Sequence, residues 1–199
     1  MVERQLRGRE IADERVLEAM ATVPREEFVP PEDRDRAYRD GALRIDEGQT
    51  ISQPWIVARM AELLELTGPE RVLEVGTGSG YAAAVLSLLC SHVVTLERHA
   101  SLAQAAAGTL DRLGYRNVEV RHGDGSQGVP DRAPFDAISV TATATGEPPR
   151  ALRDEAAPGA PIVIPLARGG TELLVRVRDT SVETVAPVRF VPLVEGTQS

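Results

Sequence analysis

The chain has 199 residues, 42% of them hydrophobic and 26% charged, with a formal net charge of −8. That length suffices for one domain with a substantial core, and the composition is globular rather than disordered or fibrous. The acidic balance excludes an extended nucleic-acid groove, which needs concentrated Lys and Arg, and no apolar run is long enough to span a membrane. The single cysteine, Cys90 in "AVLSLLC", has no intrachain partner and reads as a buried structural thiol in a reducing compartment. "MVERQLRGRE" is charged and lacks the apolar centre of a secretion signal. The expectation is a cytoplasmic monomer with no nucleic-acid or membrane partner.

Taken in chain order, Asp13 can cap a helix through "ERVLEAMATV", in which Val16, Leu17, Met20 and Val23 share a face and Pro24 ends the run. Residues 24–50 hold Pro24, Pro30 and Pro31 among many charges, which predicts irregular surface structure. A second helix is predicted from about Pro54 to Leu66, with Ile56, Val57, Met60, Leu63 and Leu64 at helical spacing and Gly68–Pro69 closing it. From residue 71 strands alternate with helices. "RVLEVG" is a strand, "YAAAVLSLLC" a helix, "HVVTLE" a strand and "LAQAAAGTLDRLG" a helix ending at Gly114. "NVEVR" and "FDAISVTA" follow as strands, then "PRALRDEAA" as a helix and "APIVIPL" as a strand. Such alternation predicts a parallel sheet with helices on both faces. "TELLVRVRD" and "VETVAPVRFVPL", separated by "TS", predict an antiparallel hairpin added at one edge. The fold class is α/β, a doubly wound, mostly parallel sheet in a single domain. Residues 1–68 form its helical N-terminal extension, 69–168 its cofactor-binding core and 169–199 its β-rich C-terminal extension.

Gly76, Gly78 and Gly80 fill the strand-to-helix turn of "VLEVGTGSGY". Glycines there let the backbone adopt positive φ and approach a ligand, and the crevice of an open parallel sheet lies at that end of the strands. The dinucleotide pattern G-x-G-x-x-G is not met, because Tyr81 stands where its third glycine belongs, and no P-loop lysine motif is present. Glu97 ends the second strand of this core, where a carboxylate can accept hydrogen bonds from both ribose hydroxyls. Asp124, in "RHGDGSQG" after the third, can reach an adenine's exocyclic amine, and Glu74 sits just before the glycine turn. Singly, Glu97 reads equally well as a solvated strand end and Asp124 as a turn residue; with the glycine turn they point to a ligand. Three carboxylates around one pocket repel a pyrophosphate and suit a cation. S-adenosylmethionine, with ribose, adenine, sulfonium and ammonium but no phosphate, fits that set. The expected cofactor residues are Glu74, Gly76, Thr77, Gly78, Ser79, Gly80, Glu97, Asp124 and Gly125. His92, His99 and His122 are scattered, show no metal-ligand spacing, and read as surface or strand-end residues.

"VLEVGTGSGY", the acid ending the next strand and "GDG" after the third resemble the seven-strand S-adenosylmethionine-dependent methyltransferases. More narrowly, "GQTISQPWIVARM", "GDGSQGVPDRAPFDAISVTA", "APIVIP" and "FVPL" resemble the protein-L-isoaspartate O-methyltransferase family. "RVLEAMATVPREEFVP" and "AYRDGAL" match it too, so the resemblance covers nearly the whole chain. It implies methyl transfer to the free α-carboxylate of L-isoaspartyl residues in damaged proteins and peptides. The products would be S-adenosyl-L-homocysteine and a methyl ester that collapses to a succinimide. It also implies that Ser52 stands near the acceptor carboxylate and that Thr50, Ile51, Gln53 and Pro54 share its substrate-facing loop. Phe190, Val191, Pro192 and Leu193 match the segment that helps close the site. A carboxylate with a pKa of about 3.5 is already ionised at pH 7, so no strong general base is required. Ser52, with no G-x-S-x-G elbow around it, would orient the acceptor rather than attack it. The chain departs from the family at "ALRIDEGQT", where Arg44 and Asp46 replace a proline and a glycine. "PGA" at 158–160 and the loop "TATATGEPP" depart as well. Arg44 and Asp46 motivate an alternative with the same chemistry and a dedicated peptide or small-molecule acceptor.

Overall fold

The structure is a computed structural model that describes residues 1–198. Asp13 caps α1 (Glu14–Thr22), its carboxylate accepting from the Arg15 N–H at 2.8 Å and the Val16 N–H at 3.3 Å. Residues 24–50 are irregular, with 3₁₀ turns at Arg25–Phe28, Pro31–Arg36 and Asp46–Gly48. Between them a short antiparallel ladder joins β1 (Leu43–Arg44) to β2 (Thr50–Ile51). This segment is irregular but anchored, since Phe28, Ala37, Leu43 and Ile51 are buried in the same core as α1. α2 (Pro54–Leu63) stops short of the expected Leu66 because Glu65 takes a left-handed φ of 53°; Leu64 and Leu66 stay buried outside the helix.

The core then runs β3 (Arg71–Val75), α3 (Tyr81–Ser87), β4 (His92–Glu97), α4 (Ala100–Leu113), β5 (Val118–His122) and β6 (Ala137–Val140). It continues through β7 (Ala144–Thr145), α5 (Arg150–Glu155), β8 (Ile162–Arg168), β9 (Thr171–Arg178) and β10 (Ser181–Pro187). The eight-stranded sheet has the order β10-β9-β8-β6-β3-β4-β5, with β7 paired beside β8. Neighbours are parallel from β5 to β8, and β9 and β10 are antiparallel. The chain winds outward from β3 through β4 and β5, then returns to the other side of β3 with β6. The switch point therefore lies at the carboxyl end of β3, where an open sheet leaves its crevice.

Register divides the apolar residues into two cores. Val72, Val93 and Ala137 align on the face packed by α1, α2 and α3, whereas Leu73, Val94, Ile138 and Ile162 align on the face packed by Leu152 of α5. Gly114 ends α4 with a left-handed φ of 87°. Cys90 is buried, and that burial pushes its thiol up to about 12, so it stays protonated and unreactive.

The hairpin β9–β10 is present, with a bulge between Thr184 and Ala186. The run "VETVAPVRFVPL" is not one strand, because the chain leaves the sheet at Pro187. The Thr143 N–H donates to the Val191 carbonyl and the Leu193 N–H to the Thr143 carbonyl, both at 2.8 Å. Further on, the Gln198 N–H donates to the Arg98 carbonyl at 2.7 Å. Residues 190–198 thus form a strap over the carboxyl edge of the sheet, from the loop after β6 to the loop after β4. No helix among the described residues is long and apolar enough to cross a membrane.

Candidate active site

The carboxyl ends of β3, β4 and β6 open into a cavity of about 1120 Å³. Its floor is the glycine turn, where Gly76, Gly78 and Gly80 have φ of 97°, 53° and 87°. At Gly76 a side chain would collide with the Thr141 hydroxyl, which donates to the Gly76 carbonyl at 2.8 Å. Gly78 presents its N–H to Glu97 Oε2 at 2.9 Å, and Glu97 Oε1 accepts from the His99 N–H at 3.1 Å. Glu97 is held on the cavity wall with only 5% of its surface exposed. Thr77, Ser79 and Gly125 also line the cavity; Gly80 lies beneath it, against Ala106 and Leu110 of α4.

The other two acids expected at the cofactor do not reach the wall. Glu74 shares its strand face with Val72 and is wholly buried. It accepts from the Thr95 hydroxyl at 2.5 Å, and Thr95 in turn shares a 2.7 Å hydrogen bond with Thr77. Burial pushes the Glu74 carboxyl up to about 8, the nearby Glu97 charge adding to the rise and the Thr95 hydrogen bond opposing it. At pH 7 it is a neutral strut beneath the turn. Asp124 accepts from the Ser126 N–H, the Ser126 hydroxyl and the Gly196 N–H at 2.9, 2.7 and 2.7 Å. Partial burial favours its neutral form, yet hydrogen bonds from Gly196 and Ser126 outweigh this and bring the pKa below the ordinary value. Two of these bonds cap a turn at Oδ1 and the third, at Oδ2, ties down the strap. Of the three acids, Glu97 alone lines the cavity.

Thr50, Ile51, Ser52 and Gln53 line the cavity opposite the glycine turn, and Phe190, Val191, Pro192 and Leu193 line it from the strap. Pro54 does not; it is the buried first residue of α2. The Ser52 carbonyl accepts from Arg25 Nη2 at 2.7 Å, while its hydroxyl makes no hydrogen bond within the described residues. Arg44 and Asp46 are exposed and lie off the cavity wall. His99, expected as a surface or strand-end residue, follows the end of β4, is 5% exposed and lines the cavity; neither ring nitrogen has a hydrogen-bond partner among the described residues. Its place two residues after the strand-end acid was the available signal.

Residues 1–198 match the family model described as Protein-L-isoaspartate(D-aspartate) O-methyltransferase (PCMT). The chain belongs to this family. Among its relatives, the Protein-L-isoaspartate O-methyltransferase of Roseiflexus castenholzii is 52% identical over 192 residues, 94% of this chain and 88% of that protein. The one from Synechococcus sp. (strain JA-2-3B'a(2-13)) is 53% identical over 205 residues, 98% of this chain and 84% of that protein. A solved protein-L-isoaspartate O-methyltransferase superposes with a TM-score of 0.84 at 28% identity over 96% of this chain; the chain spans 65% of that structure's length. A beta-aspartate methyltransferase (PCMT) from Plasmodium falciparum, in complex with S-adenosyl-L-homocysteine, also gives a TM-score of 0.84, at 26% identity. It covers 97% of this chain and 96% of its own.

Proposed function

We propose that the protein methylates the free α-carboxylate of L-isoaspartyl residues in damaged proteins and peptides. The observation that carries this reading is one cavity shared by the glycine turn with Glu97 and the Thr50–Gln53 loop with its free Ser52 hydroxyl. The cofactor half suits S-adenosylmethionine: the turn from Gly76 to Gly78 lines the cavity, Glu97 offers a carboxylate to ribose hydroxyls, and no phosphate-binding lysine is needed. Bound there, S-adenosylmethionine supplies an electrophilic methyl group and leaves as S-adenosyl-L-homocysteine.

The chain's own residues position and enclose. The acceptor arrives ionised, so no side chain has to remove a proton. Ser52 would donate its hydroxyl hydrogen to one carboxylate oxygen and so fix the direction of the other, the orientation on which methyl transfer depends. Val191, Pro192 and Leu193 cover the opposite side and keep water from competing. Arg44 and Asp46 lie outside the walls, so no observation favours a dedicated acceptor. A cytoplasmic monomer accords with the single buried cysteine and the bulged edge strand β10; sedimentation at about 21.4 kDa would check the second part.

The test is transfer of labelled methyl from S-adenosylmethionine to an isoaspartyl peptide beside its normal aspartyl counterpart. Label on the isoaspartyl peptide alone is expected. Equal labelling of both, or of neither, would overturn the proposal.

A further inference from the structure

Directly behind the acceptor loop lies a charged side chain that this mechanism does not use. Arg25 follows Pro24 at the start of the 3₁₀ turn after α1 and is 0% exposed. Its Nε donates to the Ala37 carbonyl at 2.8 Å and its Nη2 to the Ser52 carbonyl at 2.7 Å. The guanidinium stacks 4.7 Å from the centre of the Tyr81 ring, and Tyr81 is the first residue of α3 after the glycine turn and part of the cavity wall. Arg25 Nη1 is buried with no hydrogen-bond partner among the described residues.

All these partners are neutral. The adjacent acid, Glu26, is engaged by the Tyr38 hydroxyl, and no ion pair among the described residues includes Arg25. Burial lowers the Arg25 pKa, with Tyr81 opposing, from a starting value so high that the group keeps its charge at pH 7. A buried charge without a counter-charge is costly, and buried arginines are as a rule paired. The cost falls whenever an anion docks nearby. The anion that function brings to the Ser52 loop is the acceptor's carboxylate.

We infer that Arg25 is the standing counter-charge of the acceptor site: it makes the Ser52 loop select an ionised carboxylate over a neutral group of the same shape. It is a positioning residue that acts through the Ser52 carbonyl and Tyr81 without touching the substrate, and it ties the acceptor loop to the helix that follows the cofactor turn. This rests on the reading that the isoaspartyl carboxylate docks at Ser52.

The test is calorimetric titration of the protein, saturated with S-adenosyl-L-homocysteine, with an isoaspartyl peptide and with the same peptide carrying an α-carboxamide in place of the α-carboxylate. Wild type is expected to prefer the carboxylate. Arg25→Lys should keep that preference. Arg25→Met and Arg25→Gln should lose about tenfold of it while S-adenosyl-L-homocysteine affinity stays within about twofold. A merely structural role would weaken both peptides in step and leave their ratio alone, and that result in either neutral variant overturns the inference. Should neither neutral variant fold, Arg25→Lys decides through pH, because a buried lysine loses its charge well below an arginine: a carboxylate preference that falls as pH rises while the wild-type preference stays level supports the counter-charge, and one that stays level in both overturns it. No preference in wild type would instead sink the acceptor reading itself.

Discussion

Glu74 shows how a single residue can sit in a ligand motif and serve the fold. Its carboxyl, at about 8 against an ordinary 4.5, is favoured protonated in the native state. The unfolded chain ionises first, so this group's stabilisation is complete below about 4.5 and is lost as pH rises toward 8. Glu74→Gln keeps the neutral shape and removes that dependence. Its stability relative to wild type is therefore expected to climb by up to about 1.4 kcal/mol per pH unit through this window and then level off. Denaturant melts at pH 5, 7 and 9 would check it. Ser52→Ala should lower kcat/KM by about 10- to 100-fold and leave S-adenosyl-L-homocysteine affinity unchanged, measured by steady-state kinetics and titration. At this scale the sequence was informative about which residues gather and less so about which way they face. Glu97 could be placed because a strand-end acid after the next strand has few places to go. Glu74 could not, because its orientation follows from the period-two alternation of a strand buried on both sides. Asp124 could not, because its partner Gly196 is 72 positions away. Arg25 carried no signal at all: in "PREEF" it looks like one more surface charge.

Among the elements, α1, α4 and the longer parallel strands were legible because caps, terminal glycines and apolar periodicity agree. The ladders β1–β2 and β7 were not; at two residues each they are too short to carry a pattern. Asp13→Ala should cost about 1 kcal/mol of stability and leave the kinetics unchanged, since Asp13 caps α1 and does not line the cavity. Gly76→Ala is a different matter. The new methyl meets the Thr141 hydroxyl at a φ that L-residues avoid, so a loss of about 2 kcal/mol or more is expected together with a loss of cofactor affinity. A thermal melt with and without S-adenosyl-L-homocysteine separates the two effects, because a variant that no longer binds shows no ligand-induced rise in Tm.

For the whole molecule, the strap joins what the sheet order separates. Glu172, on β9, accepts from the Thr143 hydroxyl at 2.8 Å and the Phe190 N–H at 2.9 Å, fastening one end of the strap, while Asp124 fastens the other through Gly196. Glu172→Ala is expected to raise the acceptor's KM about fivefold, with faster hydrogen exchange confined to residues 190–193. The apolar run hid this crossing, and Pro187 and Pro192 were its marks in the sequence. The kink at β10 has a wider consequence. A damaged acceptor protein offers extended backbone wherever it has come loose. A long straight sheet edge would hold such chains by their main-chain groups and compete with the acceptor loop for them. On β10 the bulge between Thr184 and Ala186 breaks the ladder and Pro187 contributes no N–H, so a frayed chain finds only a few contiguous partners there. The edge is a poor trap, and the proposed acceptor loop faces no competitor for main-chain groups there.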